Sequence, residues 1–228
     1  NRKANPEYEL APRSSLAAVI LYRQYRSYTS QYSSKRLVLT CTDVYHMNTA
    51  SHQRQAWLED EIEQILTFYY PTCLDESTGG YIAQLNEETG AVYDQSSKHL
   101  VSTARFIVNF SLADQLNGPS WSQSALTHGL RFLREHHRDH DNGGYHWLVE
   151  DTQPVDTKRV CYGHAFVLLA LARASESDAC EVEDELRAVH RCIENRFFEP
   201  SYGLYKSKYN ADWSTAASYR GQNANMHM

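Results

Sequence analysis

At 228 residues the chain is long enough for one domain with a real core, or for a large part of a larger one. Apolar residues at 42% and charged residues at 22% are ordinary for a soluble globular protein. The net charge of −6 gives no basis for a nucleic-acid partner or an anionic membrane.

Residues 1–46 mix Arg, Ser and Tyr without a sustained helical period. They read as an upstream extension, poorly ordered, with Met47 as the natural start of a globular segment spanning 47–228. The apolar run Leu16 to Tyr22 is far short of the roughly 20 residues of a membrane span and lacks a cleavage signal after it. Gln53 to Tyr70 sets Trp57, Leu58, Ile62, Ile65, Leu66 and Tyr69 against Glu59, Asp60, Glu63 and Gln64, an amphipathic helix with one wet side. Leu100 to Leu116 is apolar nearly all round. Ser120 to His137 is amphipathic again, with Ser120 as the expected N-cap. Cys161 to Ala174 is apolar all round, and Asp178 to Phe197 returns to a clean stripe of Val182, Leu186, Val189, Ile193 and Phe197. A helix that is apolar on all sides must be buried on all sides. Alternation of wet and dry helices therefore predicts two concentric layers, as in an α/α barrel, and fits a four-helix bundle less well.

Between each wet helix and the next dry one stands a Gly turn flanked by alternating apolar and aromatic residues, in 79–93, 143–149 and 202–205. Each predicts a short β-hairpin, and Asp75 and Asp141 stand ahead of the first two. Gly80, Gly144 and Gly203 are spaced at about sixty residues, which suggests a two-helix unit used three times. Some 20 to 25 residues after each glycine a polar residue enters the inner segment: Arg105, His164 and His227. Three such positions pointing at one axis would make a site.

The five cysteines, Cys41, Cys73, Cys161, Cys180 and Cys192, are odd in number and lack metal-finger spacing. They read as reduced thiols of a cytoplasmic protein. The 16 tyrosines suit a sugar cleft, where rings stack and hydroxyls hydrogen-bond. His136, His137 and His140 close a wet helix, where the dipole favours them, and are not read as a metal site. No metal or other cofactor is expected.

The closing segment Tyr219-Arg220-Gly221-Gln222-Asn223-Ala224-Asn225-Met226-His227-Met228 resembles the YRG-x-NANMH motif of the N-acylglucosamine 2-epimerase family. Tyr162 to Phe166 resembles the family's inner helix with His-Ala-Phe, and Ser102 to Leu112 its inner helix with an active-site Arg. The resemblance implies the N-terminal half of an all-α (α/α)6 barrel with short hairpins between helices, and a small-molecule sugar as substrate. By it, His227 is one of two acid/base histidines, Arg105 binds the sugar near C1 and C2, His164 lines the site, and Tyr219 and Asn223 shape its floor. The family's second catalytic histidine and a glutamate one turn after His227 have no counterpart here. The expectation is a truncated piece, inactive alone and prone to associate through exposed apolar flanks.

The residue types suit the chemistry. Imidazole titrates near neutrality and can take and return a proton beside a carbonyl, while guanidinium holds its charge and forks onto two oxygens. Mannose-to-fructose isomerisation and 2-epimerisation both remain open. A glycoside hydrolase using Asp75 and Asp141 is an alternative, as is a non-catalytic binding fragment.

Overall fold

The computed structural model describes residues 41–116 and 118–228, with side chains from Arg54 onward. Residues 1–40, most of the expected upstream extension, lie outside the described residues. The chain divides into two compact units, 1–57 and 58–228. Of the first, the described part is the opening of helix α1 (Cys41–Tyr69), which carries Met47 in its interior.

The second unit runs through a repeated sequence of elements. The end of α1 leads through a turn to β1 (Gln84–Leu85), β2 (Val92–Asp94), β3 (Ser97–His99) and α2 (Leu100–Gln115). Helix α3 (Ser122–Phe132) and its π-helical last turn Leu133–His137 lead to β4 (Leu148–Glu150), β5 (Gln153–Asp156), β6 (Arg159–Val160) and α4 (Cys161–Ala174). Helix α5 (Glu183–Cys192) and its π-helical last turn Ile193–Phe197 lead to β7 (Phe198–Glu199), β8 (Leu204–Tyr205), β9 (Lys208–Tyr209) and α6 (Gln222–His227). The expected order of wet and dry helices holds. Leu100, Ala104, Ile107 and Phe110 of α2 and Cys161, Val167, Ala170 and Leu171 of α4 are buried, and α2 packs on α3 and α4, as α4 does on α5 and α6. The stripe expected on α1 is less covered: Leu66 is buried, but Ile65 is 57% exposed, although Tyr69 packs edge-on against Phe106.

The repeat is visible in single hydrogen bonds. The backbone N–H groups of Ile82, His146 and Lys206 donate to the carbonyls of Cys73, His137 and Phe197, at 2.7, 2.7 and 2.9 Å. Those of Gly79, Gly143 and Gly203 donate to the carbonyls of Asp75, Asp139 and Glu199 at 2.9, 3.0 and 3.0 Å, all three glycines at positive φ. Gly203 thus matches Gly79 and Gly143, one residue earlier than the spacing of Gly80 and Gly144 suggests. Gly80 and Gly144 meet a different constraint: a Cβ there would lie 2.7 Å from Phe132 and 2.6 Å from Trp213.

Each turn carboxylate is tied to a cation two residues ahead of the following inner helix. Asp75 accepts from Lys98 Nζ at 2.8 Å with both side chains sealed from solvent, Asp139 pairs with Arg159, and Glu199 accepts from Arg220 Nε at 2.9 Å. Burial would raise the Asp75 pKa, but hydrogen bonds from Lys98, Ser77 and Thr78 outweigh it and hold the carboxyl well below its ordinary range. The residue of this kind in the second turn is Asp139; Asp141, expected from sequence, is exposed and gives Asp139 its backbone N–H.

The strands also join successive repeats. β3 pairs antiparallel with β4, and β6 with β9. Lys98 and Arg159 sit within β3 and β6, so each ion pair locks a junction where one repeat's sheet meets the next. Removing one member strands a buried charge. Lys98→Met should therefore lower unfolding free energy by about 3–5 kcal/mol in urea titration. A loss under about 1 kcal/mol would show that the pair behaves like a surface ion pair.

Candidate active site

Three inner helices present matching positions to one another. Arg105, Phe166 and His227 each stand sixth in α2, α4 and α6. Phe166 shares its face of α4 with Tyr162, four residues back. Arg105 Nη2 donates to Tyr162 Oη at 3.3 Å, and its guanidinium lies 4.9 Å from the centre of the Phe166 ring. The His227 ring sits 5.1 Å from Tyr162 and 5.3 Å from Phe166, while those two rings meet edge-on at 5.0 Å. A cation, a phenol and an imidazole thus share one half-open surface around an aromatic centre. Sequence reasoning treats Arg105 as a cation in a buried helix; the structure leaves it exposed, resting on the Phe166 ring.

His164 goes elsewhere. It stands fourth in α4, about 200° around the helix from Tyr162, and is fully buried. Its Nδ1 donates to the Val160 carbonyl at 2.8 Å and its Nε2 accepts from Tyr145 N–H at 3.2 Å. Neither ring nitrogen is left for a ligand. The partner of Arg105 and His227 in the repeat is Phe166; His164 matches Thr103 and Asn225, which stand fourth in α2 and α6.

The end of the chain is held in place residue by residue. Arg220 is bound to Glu199 and lies 3.9 Å over the Tyr202 ring, and Gly221 N–H donates to Ser207 Oγ at 2.6 Å. Asn225 takes the Tyr205 N–H on Oδ1 at 2.7 Å, and its Nδ2 donates to the carbonyls of Tyr205 and Gly221 at 3.1 and 2.9 Å. Tyr219 is exposed, with its carbonyl taking the Ser207 N–H. Asn223 is exposed one turn before His227, at the position Tyr162 holds in α4. Sequence reasoning assigns no role to Tyr162, Phe166 or Asn225. The helical spacing of Tyr162 and Phe166 was the available signal for the first two.

The remaining polar clusters are structural. His137 is sealed, its nitrogens 3.2 Å from Thr103 Oγ1 and from the His146 carbonyl, and His140 Nε2 donates to the Arg134 carbonyl at 3.0 Å. Asp75 and Asp139 are occupied by their cations, which removes Asp75 from the carboxylate pair a hydrolase would need. Two surface cavities of about 370 and 420 Å³ lie beside the Asp75 turn and α3, away from the Arg105 cluster. Among the described residues no group of three or more His, Cys, Asp or Glu could hold a metal ion, and no helix is long and apolar enough to cross a membrane.

Burial drives the His164 pKa down to about 4 and that of His137 to about 3, against opposing hydrogen bonds to backbone carbonyls. The unfolded chain binds protons on both groups near pH 6.5, the folded chain does not. Their contribution is complete above that pH and is lost as pH falls toward the folded values, at up to ~1.4 kcal/mol per unit for each. Stability should therefore drop between pH 6.5 and 5. His164→Asn, which keeps one donor and one acceptor, should flatten the slope by about one proton in denaturation midpoints read across that range. An unchanged slope would mean that His164 is protonated in the fold.

The chain has recognisable relatives. Residues 80–228 match the family model described as N-acylglucosamine 2-epimerase. A D-mannose isomerase of Marinomonas mediterranea is 38% identical over 182 residues, 80% of this chain and 45% of that protein. One from Thermobifida fusca is 30% identical over 181 residues, 79% of this chain and 43% of that one. A crystal structure of a D-mannose isomerase superposes with a TM-score of 0.71 at 40% identity, over 76% of this chain and 45% of the other. A cellobiose 2-epimerase from Bacillus thermoamylovorans shares the fold with a TM-score of 0.67 at 23% identity, over 75% and 48%. The chain spans less than half the length of the curated relatives it matches.

Proposed function

Because the chain belongs to the N-acylglucosamine 2-epimerase family, we propose that its three repeats are half of an (α/α)6 toroid and supply part of the active site of an aldose isomerase or 2-epimerase. The observation that carries this reading is the meeting of Arg105, Tyr162 and His227 from three inner helices on one accessible surface. The likeness to D-mannose isomerases favours mannose as the first substrate to try.

The chemistry follows from the groups present. The Arg105 guanidinium is a planar cation that can fork onto the oxygens at C1 and C2, stabilising the charge that forms there. Tyr162 accepts from Arg105 and so keeps its own O–H for a sugar oxygen. His227 takes the proton from C2, leaving an enediolate. Returning that proton to C1, while the hydroxyl at C2 gives up its proton to the oxygen at C1 and becomes the carbonyl, gives a ketose. Returning a proton to the opposite face of C2 gives the epimer, and that needs a second base across the ring. His164, walled off between two backbone groups, has no part in the proton transfer and serves the packing of α4. Asn223, one turn before His227, and the exposed Tyr219 are sugar-contacting groups in this reading.

Incubating a complete toroid that contains these three repeats with D-mannose in D2O tests the reading. Fructose should form, with solvent deuterium entering the sugar only at the carbons that exchange a proton with the base. His227→Gln should lower kcat by at least ~100-fold, the smaller end of what a positioned acid/base group contributes. Formation of no isomer from mannose or from other aldoses would overturn it, as would cleavage of glycosides by the same protein.

A further inference from the structure

We propose that Asn225 is a positioning residue that sets where His227 stands, and that it does so by a device α4 uses as well. This rests on His227 as the acid/base group of the proposed reaction and adds how that group is held.

Helix α6 is a single short stretch, Gln222–His227, too short to be stable by itself. It buries one residue, Ala224, so packing alone fixes its rotation weakly. What holds it is the Asn225 amide, which takes the N–H and gives to the carbonyl of Tyr205 in β8, and also gives to the Gly221 carbonyl at the helix start. The helix is thereby stitched to a hairpin strand through both edges of one residue. Asn225 lies two residues before His227 on the other side of the helix. The clamp therefore fixes the helix rotation and the imidazole follows, standing against Tyr162 and Phe166.

The same position in α4 carries His164. Its Nδ1 gives to the Val160 carbonyl at the helix start and its Nε2 takes the N–H of Tyr145, the residue that matches Tyr205 in the repeat. Two unlike side chains thus do one job: donor to the helix's own first turn, acceptor for the hairpin. Residues facing the other way from each clamp, Tyr162 and Phe166 in α4 and His227 in α6, form the site. An imidazole satisfies this pattern in α4, and a substitution in α6 that supplies one should satisfy it there.

The test uses the same complete toroid and reads placement and turnover separately. The His227 ring-proton resonance reports placement, because the neighbouring Tyr162 and Phe166 rings shift it. Asn225→Ala should move that resonance toward the position of a solvent-exposed histidine and lower kcat by about 10- to 100-fold, the scale of loss for a catalytic group displaced by about 1 Å, with KM changed less than kcat. Asn225→His, which restores one donor and one acceptor, should recover at least half of the resonance shift and most of the turnover. An unmoved resonance in Asn225→Ala, or a moved one with unchanged kcat, would overturn the inference. So would failure of Asn225→His to recover either quantity. If the unsubstituted protein converts no aldose, the proposed reaction is what fails, and the resonance still decides whether Asn225 places His227.

Discussion

The buried pairing of a turn carboxylate with the cation two residues ahead of an inner helix is the constraint on which the architecture turns. A helix apolar around most of its surface gains nearly the same burial at several rotations, so hydrophobic packing alone does not set its register. An ion pair sealed from water tolerates one geometry, because among the described residues neither charge has a second counter-ion and desolvation is severe when the first is lost. Lys98 and Arg159 supply that geometry at the entrances of α2 and α4. Arg220 repeats it at α6 in a more open setting, with both partners more than a fifth exposed. The sequence gap between cation and helix is constant. Fixing the cation to its turn therefore fixes which residues of the following helix face outward from the hairpin.

Much of this plan is written in hydrophobic periodicity. The alternation of stripe-bearing and fully apolar helices follows from the spacing of residues such as Val182, Leu186, Val189, Ile193 and Phe197, and the hairpin turns announce themselves through Gly79, Gly80, Gly143 and Gly144. What periodicity does not carry is the rotation of an all-apolar helix, since a helix without a wet side gives no direction to read. His164 is a polar residue near the start of an otherwise apolar run and draws attention for that reason. The structure turns it into the packing, while the apolar-looking Phe166 takes the corresponding place beside Arg105 and His227. The strand pairings β3–β4 and β6–β9 escape sequence reading for another reason. They join runs of two or three residues about fifty positions apart, too short to show alternation and too distant for turn chemistry. Asp139 and Asp141 flank the same turn and are alike in sequence; only the strand carrying Arg159 distinguishes them.

The histidines show how burial sorts one residue type into separate roles. His137 and His164 are enclosed, each with both ring nitrogens committed, and desolvation keeps them neutral far below the ordinary range. Such a group behaves as a rigid donor–acceptor pair, close in function to an amide. A proton-transfer histidine has to reach its substrate, and among these three only His227 is accessible.

The fourth and sixth positions of the inner helices therefore divide architecture from chemistry. The fourth position faces the hairpins or the neighbouring helix end: Thr103 meets His137, His164 meets Tyr145, Asn225 meets Tyr205. All three are polar, because each meets a buried or half-buried partner that would otherwise go unsatisfied, and a lost partner costs more than the bond is worth. The sixth position faces away from those demands, and there the three repeats diverge into a guanidinium, a phenyl ring and an imidazole. A repeat that copies its scaffold on one side of a helix leaves the other side free to differ. A site that needs unlike groups around one substrate can be assembled from like parts in this way, provided the clamps hold every helix to the same rotation.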